Sequence, residues 1–483
     1  MIAEYSVAGL AAVLLTLAAR SHKPMNLVSI AHSAAAFALG MHVLQAGLPV
    51  SYLQNGYFFA DSLTIFEVLL SSAMFLLASI YASGYVESLI RSRELDRKYV
   101  KAFYVAFNLL LSATMLAFFS NNLALLWIFV EMTTLFAAFL IVILNTKENI
   151  GAALKYVFLS STAMLFTFVG LIFLFALSRL SLGEGSLNWD FLVSNAPVLP
   201  PALVAISFGF IFIGFAAKSG IVPFHTWLPD AYSRSPSVIS AILSAVISNI
   251  GIYGILRVYA IAKQTDAAPA LSQMMMAFGI LSMAVAVFSM LRQEGLKKLI
   301  AFSSIENAGF ALVGIGIGTP VALFWVLLHG MVHSMAKALL FFSTGVLHMQ
   351  YESNNARRIV NALVIQPLGS WGLIIGSVAI IGMPPFALFL PKFFMLSELA
   401  SVSVAALVAV AVLLLVGAAA FALFLTRIMS QTSSEGPATV PVPAGMKMPI
   451  VLLALLVALL GLLMPQALMG IIESAAQAVT GGI

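Results

Sequence analysis

The sequence contains no cysteine. This absence excludes disulfides, thiol redox chemistry, Cys-ligated iron–sulfur clusters and c-type haem attachment within the chain. Charged residues are scarce too, at 8% of 483 residues, against about 25% in an ordinary soluble domain. The sequence has no phosphate-binding GxxxxGK[ST] loop, and the glycine-rich run 314–318 ends an apolar helix without a preceding strand. Any redox or nucleotide chemistry would therefore come from partner subunits.

Hydrophobic residues, in contrast, make up 62% of the chain. Apolar stretches of about 20 residues, enough to cross a bilayer, follow one another almost end to end. The fold class predicted is an all-α polytopic membrane protein of about fourteen spans. The longer spans must tilt or break. We place the spans at residues 4–19, 25–46, 62–86, 101–119, 122–145, 150–178, 201–231, 236–262, 269–291, 297–317, 320–348, 367–399, 402–428 and 448–472.

The distribution of basic residues predicts the orientation. Sixteen Lys and Arg, Lys297 among them, fall after odd-numbered spans, whereas three, Arg179, Arg257 and Lys263, fall after even-numbered spans. The positive-inside rule then places both termini on the outer face. The first span carries Glu4 where a signal peptide has a basic leading region, so we expect a retained span. The four remaining basic residues lie within spans: Lys155, Lys218, Lys337 and Lys392.

A short motif occurs twice and indicates an internal repeat. The pattern P-F-x-x-aromatic-L-P is found at 223–229 in span 7 and at 385–391 in span 12. Spans five apart cross the membrane in opposite directions, which is typical of inverted repeats with broken helices beside the transport path. We therefore predict N-terminal spans at 1–100, repeats at 101–262 (spans 4–8) and 269–428 (spans 9–13), and a C-terminal span at 448–483. The predicted breaks lie at Gly220, Pro223, Pro384 and Pro385.

Ionisable residues within a membrane are energetically costly and by default mark a functional path. Glu131 lies in the middle of span 5, and Lys218 precedes the break of span 7. Their similar depth predicts a pair that keeps both groups charged or exchanges a proton. A static structural salt bridge is the alternative.

Span 11 carries His329, His333 and Lys337 at positions i, i+4 and i+8, which places all three on one helix face. Histidine titrates near neutral pH, so this row suits proton relay. Purely structural histidines are the alternative. A metal site is disfavoured because no carboxylate lies nearby in the sequence.

Other intramembrane residues are secondary candidates. Lys392 follows the break of span 12 and loosely mirrors Lys218, and Glu306 lies near mid-depth in span 10. Lys155 is close enough to the end of span 6 to reach the surface instead. His225 suits either relay or hydrogen bonding at the helix end. Glu67, early in span 3, is interpreted as a structural or partner-facing residue near an interface.

Together these residues resemble the antiporter-like subunits shared by respiratory complex I, Mrp sodium/proton antiporters and membrane-bound NiFe hydrogenases. The resemblance covers about spans 3 to 14. Three segments are more similar to the F-type component of hydrogenase-4 and its relatives: VEMTTL at 130–135, SSIEN at 303–307 and PPF at 384–386. The chain also ends soon after span 14, without the long lateral helix of the largest complex I member.

Two positions depart from the family pattern. Asn249 stands in span 8 where many members have a basic residue, and Lys392 stands where hydrogenase-type relatives often have Glu. The first departure weakens the link between the two half-channels unless Asn249 and water bridge it. The second makes the outer end of the path more like that of some complex I subunits.

The resemblance implies a function and partners. Redox chemistry in a soluble arm with NiFe and iron–sulfur centres would shift charges among the membrane subunits, with no cofactor in this chain. Glu131 and Lys218 would then pair or separate, and a proton would pass along His333, His329 and Lys337 toward Lys392. The expected location is a prokaryotic inner membrane. The alternatives are an Mrp-type sodium/proton antiporter subunit, a complex I membrane-arm subunit and a non-pumping scaffold.

Overall fold

The computed structural model describes residues 2–52, 56–433 and 437–480, and most of them are helical. The first six helices are α1 (Ile2–Ala18), α2 (His22–Ala46), α3 (Ser62–Arg91), α4 (Arg97–Phe119), α5 (Leu123–Val142) and α6 (Lys147–Leu182). The next five are α7 (Trp189–Asn195), α8 (Pro201–Ser219), α9 (Leu228–Arg234), α10 (Ser237–Ile242) and α11 (Ser248–Ala262). A π-helical turn, Leu243–Ile247, joins α10 to α11.

The C-terminal half continues the helical bundle. Its helices are α12 (Ala268–Met290), α13 (Leu296–Ile317), α14 (Pro320–Tyr351), α15 (Ala362–Ile365), α16 (Pro367–Ile381), α17 (Phe389–Val402), α18 (Val404–Met429), α19 (Ala444–Leu462) and α20 (Gln466–Thr480). Short 3₁₀ helices lie at Ala196–Val198 and Ala356–Arg358. Strands β1 (Val50–Tyr52) and β2 (Phe58–Ala60) form an antiparallel hairpin before α3.

Twelve helical stretches in the described residues are long and apolar enough to cross a membrane. Two further apolar helices, Ile2–Ala18 and Pro367–Ile381, are shorter. The second of these is half of the predicted span 12. Together these stretches account for the fourteen predicted spans, and the all-α polytopic fold is confirmed. Large apolar side chains on the outside of the bundle, such as Phe158 and Leu415, suit contact with lipid.

Both predicted helix breaks are present. Helix α8 ends at Gly220 with φ +75°, and α16 ends at Gly382 with φ +84°. Left-handed backbone is accessible to glycine because it lacks a Cβ. Residues 221–227 and 382–388 then form non-helical turns before the chain resumes in α9 and α17. Each break leaves the last carbonyl groups of a half-helix inside the bundle, where they favour a cation.

The structure corrects four details of the sequence prediction. The last span ends at Leu462 rather than 472, and a separate helix, α20, follows and packs on α3 and α14. Arg257 and Lys297, assigned to loops, lie inside helices and are 4% and 3% exposed. Lys297 Nζ donates to the Ser235 carbonyl at 2.8 Å. Hairpin β1–β2 had no counterpart in the prediction.

A buried ion pair fastens α3 to α11. The Arg257 guanidinium donates both to Asp61, at 2.6 Å for each bond, and to Thr64 Oγ1 at 2.8 Å. The same guanidinium lies 4.4 Å from the Trp189 ring centroid. Asp61 also caps α3 by accepting from the Thr64 backbone N–H. A residue expected on the outer surface is therefore a structural connection between distant helices.

Candidate functional site

Lys218 occupies the last turn of α8, beside the Gly220 break, and is 0% exposed. Its Nζ donates to Thr134 Oγ1 at 2.7 Å, to Tyr156 OH at 3.1 Å and to the Val130 carbonyl at 3.4 Å. Three oxygen acceptors and the C-terminal end of a half-helix dipole therefore surround the ammonium group. This environment solvates a cation inside an otherwise apolar bundle.

Glu131 lies one turn before Thr134 on α5 and is half-buried. Ser161 Oγ donates to its Oε2 at 2.9 Å, whereas the buried Oε1 has no hydrogen-bond partner among the described residues. No ion pair within 4.0 Å joins Glu131 to Lys218 in the part of the chain that is described. The direct Glu131–Lys218 pair that the sequence predicts is therefore not formed. Lys218 instead donates to Thr134, which lies one helical turn after Glu131 on α5.

Lys155 of α6 and Asp230 of α9 form an ion pair. Their Nζ–Oδ2 distance is 2.7 Å, and Lys298 lies 3.9 Å from the other carboxylate oxygen. The Lys155 side chain is 40% exposed, which fits its interpretation as a surface-reaching residue. His225, in the turn after the α8 break, is half-buried, and its Nδ1 has no partner in the described structure.

Asn249, near the start of α11, connects three helices. Its Nδ2 donates to Ser334 Oγ at 2.9 Å, and Ser334 in turn donates to the Ala245 carbonyl in the π-helical turn. Ser244, in the same turn, lies 3.0 Å from Ser304 of α13. The π-helical turn therefore directs small polar groups toward α13 and α14, as such turns often do at functional sites.

The predicted row on α14 lies deep in the protein. His329, His333 and Lys337 are 1%, 6% and 0% exposed. The two imidazole rings are stacked with centroids 6.0 Å apart. Lys337 Nζ donates to the Ile300 carbonyl at 2.7 Å and to Ser303 Oγ. The i, i+4, i+8 spacing thus produces one buried polar face directed at α13, as the sequence indicated.

Lys392 and Glu306 come together at the second break. Their closest Nζ–Oε1 distance is 4.0 Å, and both side chains are buried. Lys392 Nζ also donates to the carbonyls of Ile380 and Ile381 at the end of α16. Glu306, a secondary candidate from sequence, is therefore the nearest carboxylate to Lys392. Both broken helices thus place a buried lysine at the carbonyl end of a half-helix.

Sequence reasoning missed the position of Glu67. This residue is only 5% exposed and lines a cavity with Asn249, His329 and His333, so of the two expected roles the structure contradicts the partner-facing one and not the structural one. Asp61 and Asp230 were also overlooked, although each is the partner of a basic residue. The available signal for Glu67 was its place as a lone carboxylate in an apolar helix.

These groups form two clusters, one around Lys218 and one around Lys337 and Lys392, and Asn249 and the cavity lie against α14 of the second cluster. Within the described ranges, no three His, Cys, Asp or Glu side chains converge as a metal site would require. Hydroxyl, amide, imidazole and ammonium groups in series provide donors and acceptors that suit movement of protons.

Comparison with known proteins gives the family. A profile described as NADH:quinone oxidoreductase/Mrp antiporter, transmembrane, matches residues 120–419. Hydrogenase-4 component F homolog of Methylacidiphilum infernorum (isolate V4) is 31% identical over 346 residues, 71% of this chain and 73% of that protein. NADH-quinone oxidoreductase subunit N of Desulforudis audaxviator (strain MP104C) is 27% identical over 421 residues, 83% of this chain and 80% of that protein.

The fold is also found among solved structures. A chain of the archaeal membrane-bound sulfane sulfur reductase matches with a TM-score of 0.86 at 20% identity, covering 99% of this chain and 96% of that chain. At 20% identity this structural match establishes the fold alone. The family profile and the relative that is 31% identical establish the family membership that the sequence motifs indicated. The chain is therefore an antiporter-like membrane subunit that belongs to the NADH:quinone oxidoreductase/Mrp antiporter family.

Proposed function

We propose that the chain is the proton-translocating subunit of a redox-driven membrane complex of the group 4 NiFe hydrogenase type, or of a formate- or CO-linked relative. The observation that carries the proposal is a group of three buried lysines within the predicted spans, Lys218, Lys337 and Lys392, two of them beside helix breaks. Burying an ammonium group in a bundle is unfavourable unless the group is used or compensated. A non-pumping scaffold gives no reason to maintain three such groups.

The path we propose begins at the first cluster. A change in charge near Glu131 alters the field at Lys218, and Thr134 and Tyr156 hold the ammonium in place while its proton leaves. The proton then crosses the region of Asn249 to the α14 row. There it passes along the row of His329, His333 and Lys337, which lie one helical turn apart on α14.

The second cluster forms the exit. Glu306 lies within 4.0 Å of Lys392, so a proton arriving near this pair changes the charge balance at the α16 break. The carbonyls of Ile380 and Ile381 keep Lys392 at the break in either state. Lys155 and His225 belong to the entrance side in this scheme, where Asp230 holds the Lys155 ammonium group.

The similarity to a hydrogenase-4 component F homolog supports a complex with other membrane subunits and a soluble arm that carries NiFe and iron–sulfur centres. We place the chain in a prokaryotic inner membrane with both termini outside, on the asymmetry of its loop charges. We also propose that 101–262 and 269–428 act as inverted repeats. The second candidate, an Mrp-type antiporter subunit, is favoured by the same family profile.

The test is purification of the complex from its native membrane in mild detergent, followed by mass spectrometry and reconstitution into liposomes. We expect a NiFe subunit with iron–sulfur partners, and acidification or alkalinisation of the lumen when electrons are supplied. Only small membrane subunits, with ion exchange driven by a sodium gradient, would contradict the proposal and support the antiporter.

Variants of the reconstituted complex test the path. Lys218→Ala is expected to abolish coupled proton movement while subunit content and electron transfer persist. Lys98→Ala provides a matched control, because that lysine is 63% exposed and pairs only with Asp96 in the described structure. Normal proton movement in the Lys218 variant would refute the scheme.

A further inference from the structure

A small, partly open cavity lies beside the row of polar residues on α14. Its volume is about 30 Å³, and it lies between α3, α11, α13 and α14. Its polar lining residues are Glu67, Ser248, Asn249, Ser304, Asn307, His329 and His333. A single water molecule needs about 10–15 Å³, so the cavity has room for about two waters.

The lining contains a concentration of polar atoms without hydrogen-bond partners in the described structure. They are Glu67 Oε2, Asn307 Oδ1, both ring nitrogens of His329 and Nε2 of His333. All four side chains are more than nine-tenths buried. Because buried polar groups are nearly always satisfied by protein or by ordered water, so many unpaired atoms around one cavity indicate bridging water.

Glu67 differs from the other carboxyl groups in its surroundings. Among the described residues it forms no ion pair, whereas Glu306 faces Lys392. The titratable groups that share its cavity are His329 and His333 of α14; the lining residues of α11 and α13 carry no charge. Other helices also pack against α3. In the described structure, their titratable side chains do not line this cavity. An unpaired buried carboxyl group requires a proton or water, and here both histidines lie within reach through water.

We infer that Glu67 exchanges protons with His329 and His333 through water in this cavity and so connects the two buried clusters. Asn249 cannot ionise, so it orients water and Ser334 while Glu67 supplies the acid–base group. In each transfer the carboxyl O–H bond breaks, the bridging water accepts that proton and releases one of its own, and an imidazole N–H bond forms. The net change is one proton moved from the carboxyl group to the imidazole. The inference rests on the proposed function and adds a residue to its path.

The experiment uses the whole complex in liposomes, with proton movement and electron transfer measured together across a range of pH. Glu67→Gln keeps the size and hydrogen-bonding ability of the side chain but cannot carry a proton. We expect coupled proton movement to fall at least about ten-fold while the complex assembles. Glu67→Asp is expected to retain part of the activity with a displaced pH profile, which a purely structural residue would not show.

Glu87→Gln is the matched control, because Glu87 lies on the same helix but is exposed and paired with Arg91. A second readout is infrared spectroscopy of the complex in H₂O and D₂O. We expect a deuterium-sensitive carboxyl band in the parent complex that is absent in Glu67→Gln and present in Glu87→Gln.

The outcomes separate the two proposals. Loss of proton movement in Lys218→Ala but normal movement in Glu67→Gln overturns this inference and leaves the proposed function intact. Normal movement in both variants overturns the proposed function. Loss of ²²Na⁺ uptake in Glu67→Gln with unchanged proton movement would also overturn the inference, since the cavity would then bind sodium.

Discussion

The ion pair between Arg257 and Asp61 allows a quantitative test of how α3 and α11 are held together. Arg257 and Asp61 are 4% and 7% exposed, and two parallel 2.6 Å hydrogen bonds join them. The first perturbation is Arg257→Met, which retains an apolar stem but leaves the Asp61 carboxylate buried without its cation. The second is Asp61→Asn, which keeps an oxygen acceptor for the α3 cap.

Removing one partner of a buried pair costs about 3–5 kcal/mol, mainly because the other charge stays buried and uncompensated. Arg257→Met also loses the contact with the Trp189 ring, a cation–π interaction of about 0.5–2 kcal/mol. We therefore expect Arg257→Met to lose about 3–5 kcal/mol and Asp61→Asn slightly less. The double variant carries no buried charge at this point, so it should be more stable than either single variant.

The assay is a denaturation titration of the purified protein with sodium dodecyl sulfate, supported by thermal midpoints, for all four members of the cycle. Arg257→Lys provides a further comparison, because it retains the charge but loses the bidentate geometry and the planar stacking. Two results would refute the reasoning. One is a loss of less than about 1 kcal/mol in the free energy of unfolding of Arg257→Met. The other is a double variant whose loss of unfolding free energy equals the sum of the losses in the two single variants.

Two further predictions concern other parts of the structure. Burial alone would raise the pKa of Glu94, but the hydrogen bond and charge of His348, a hydrogen bond from Ser92 and the charge of Lys297 together outweigh it and lower that pKa. The pKa of Glu94 in the folded protein then lies below the unfolded value of about 4.3. The ionised Glu94 therefore contributes to folding stability above about pH 4.3, and this contribution is lost as the pH falls through the folded pKa. Thermal midpoints of the parent and Glu94→Gln should differ at pH 7 and converge on acidification; a difference that grows in acid would contradict this. Gly461→Ala places a methyl group against the Pro385 carbonyl oxygen at the second break and is expected to cost about 1–3 kcal/mol. Gly470→Ala, whose added Cβ meets no described heavy atom within 4 Å, should be neutral or gain up to about 1 kcal/mol; equal thermal midpoints for the two glycine variants would contradict the expected effect.

Much of the fold could be predicted because membrane helices are encoded locally. Apolar stretches of sufficient length give the spans, and glycine with proline gives the breaks at Gly220 and Gly382, since these signals act within a few residues. The row of His329, His333 and Lys337 follows from helical periodicity alone. The last span was misplaced because Pro465, which lies in the gap between α19 and α20, was not interpreted as a helix break.

The sequence by itself therefore determined that this is a polytopic helical protein, that two of its helices break at Gly220 and Gly382, and that Glu131, Lys218, Lys337 and Lys392 lie within its spans. Only the tertiary structure decided which groups meet: Arg257 with Asp61, 196 residues apart, and Glu306 with Lys392. It also brings Glu67 to the same cavity as the α14 histidines. In a membrane, lipid is as apolar as a protein core, so hydrophobic periodicity does not distinguish the inner face of a helix from its outer face. The packing of helices distant in sequence makes that distinction, and with it the polar path.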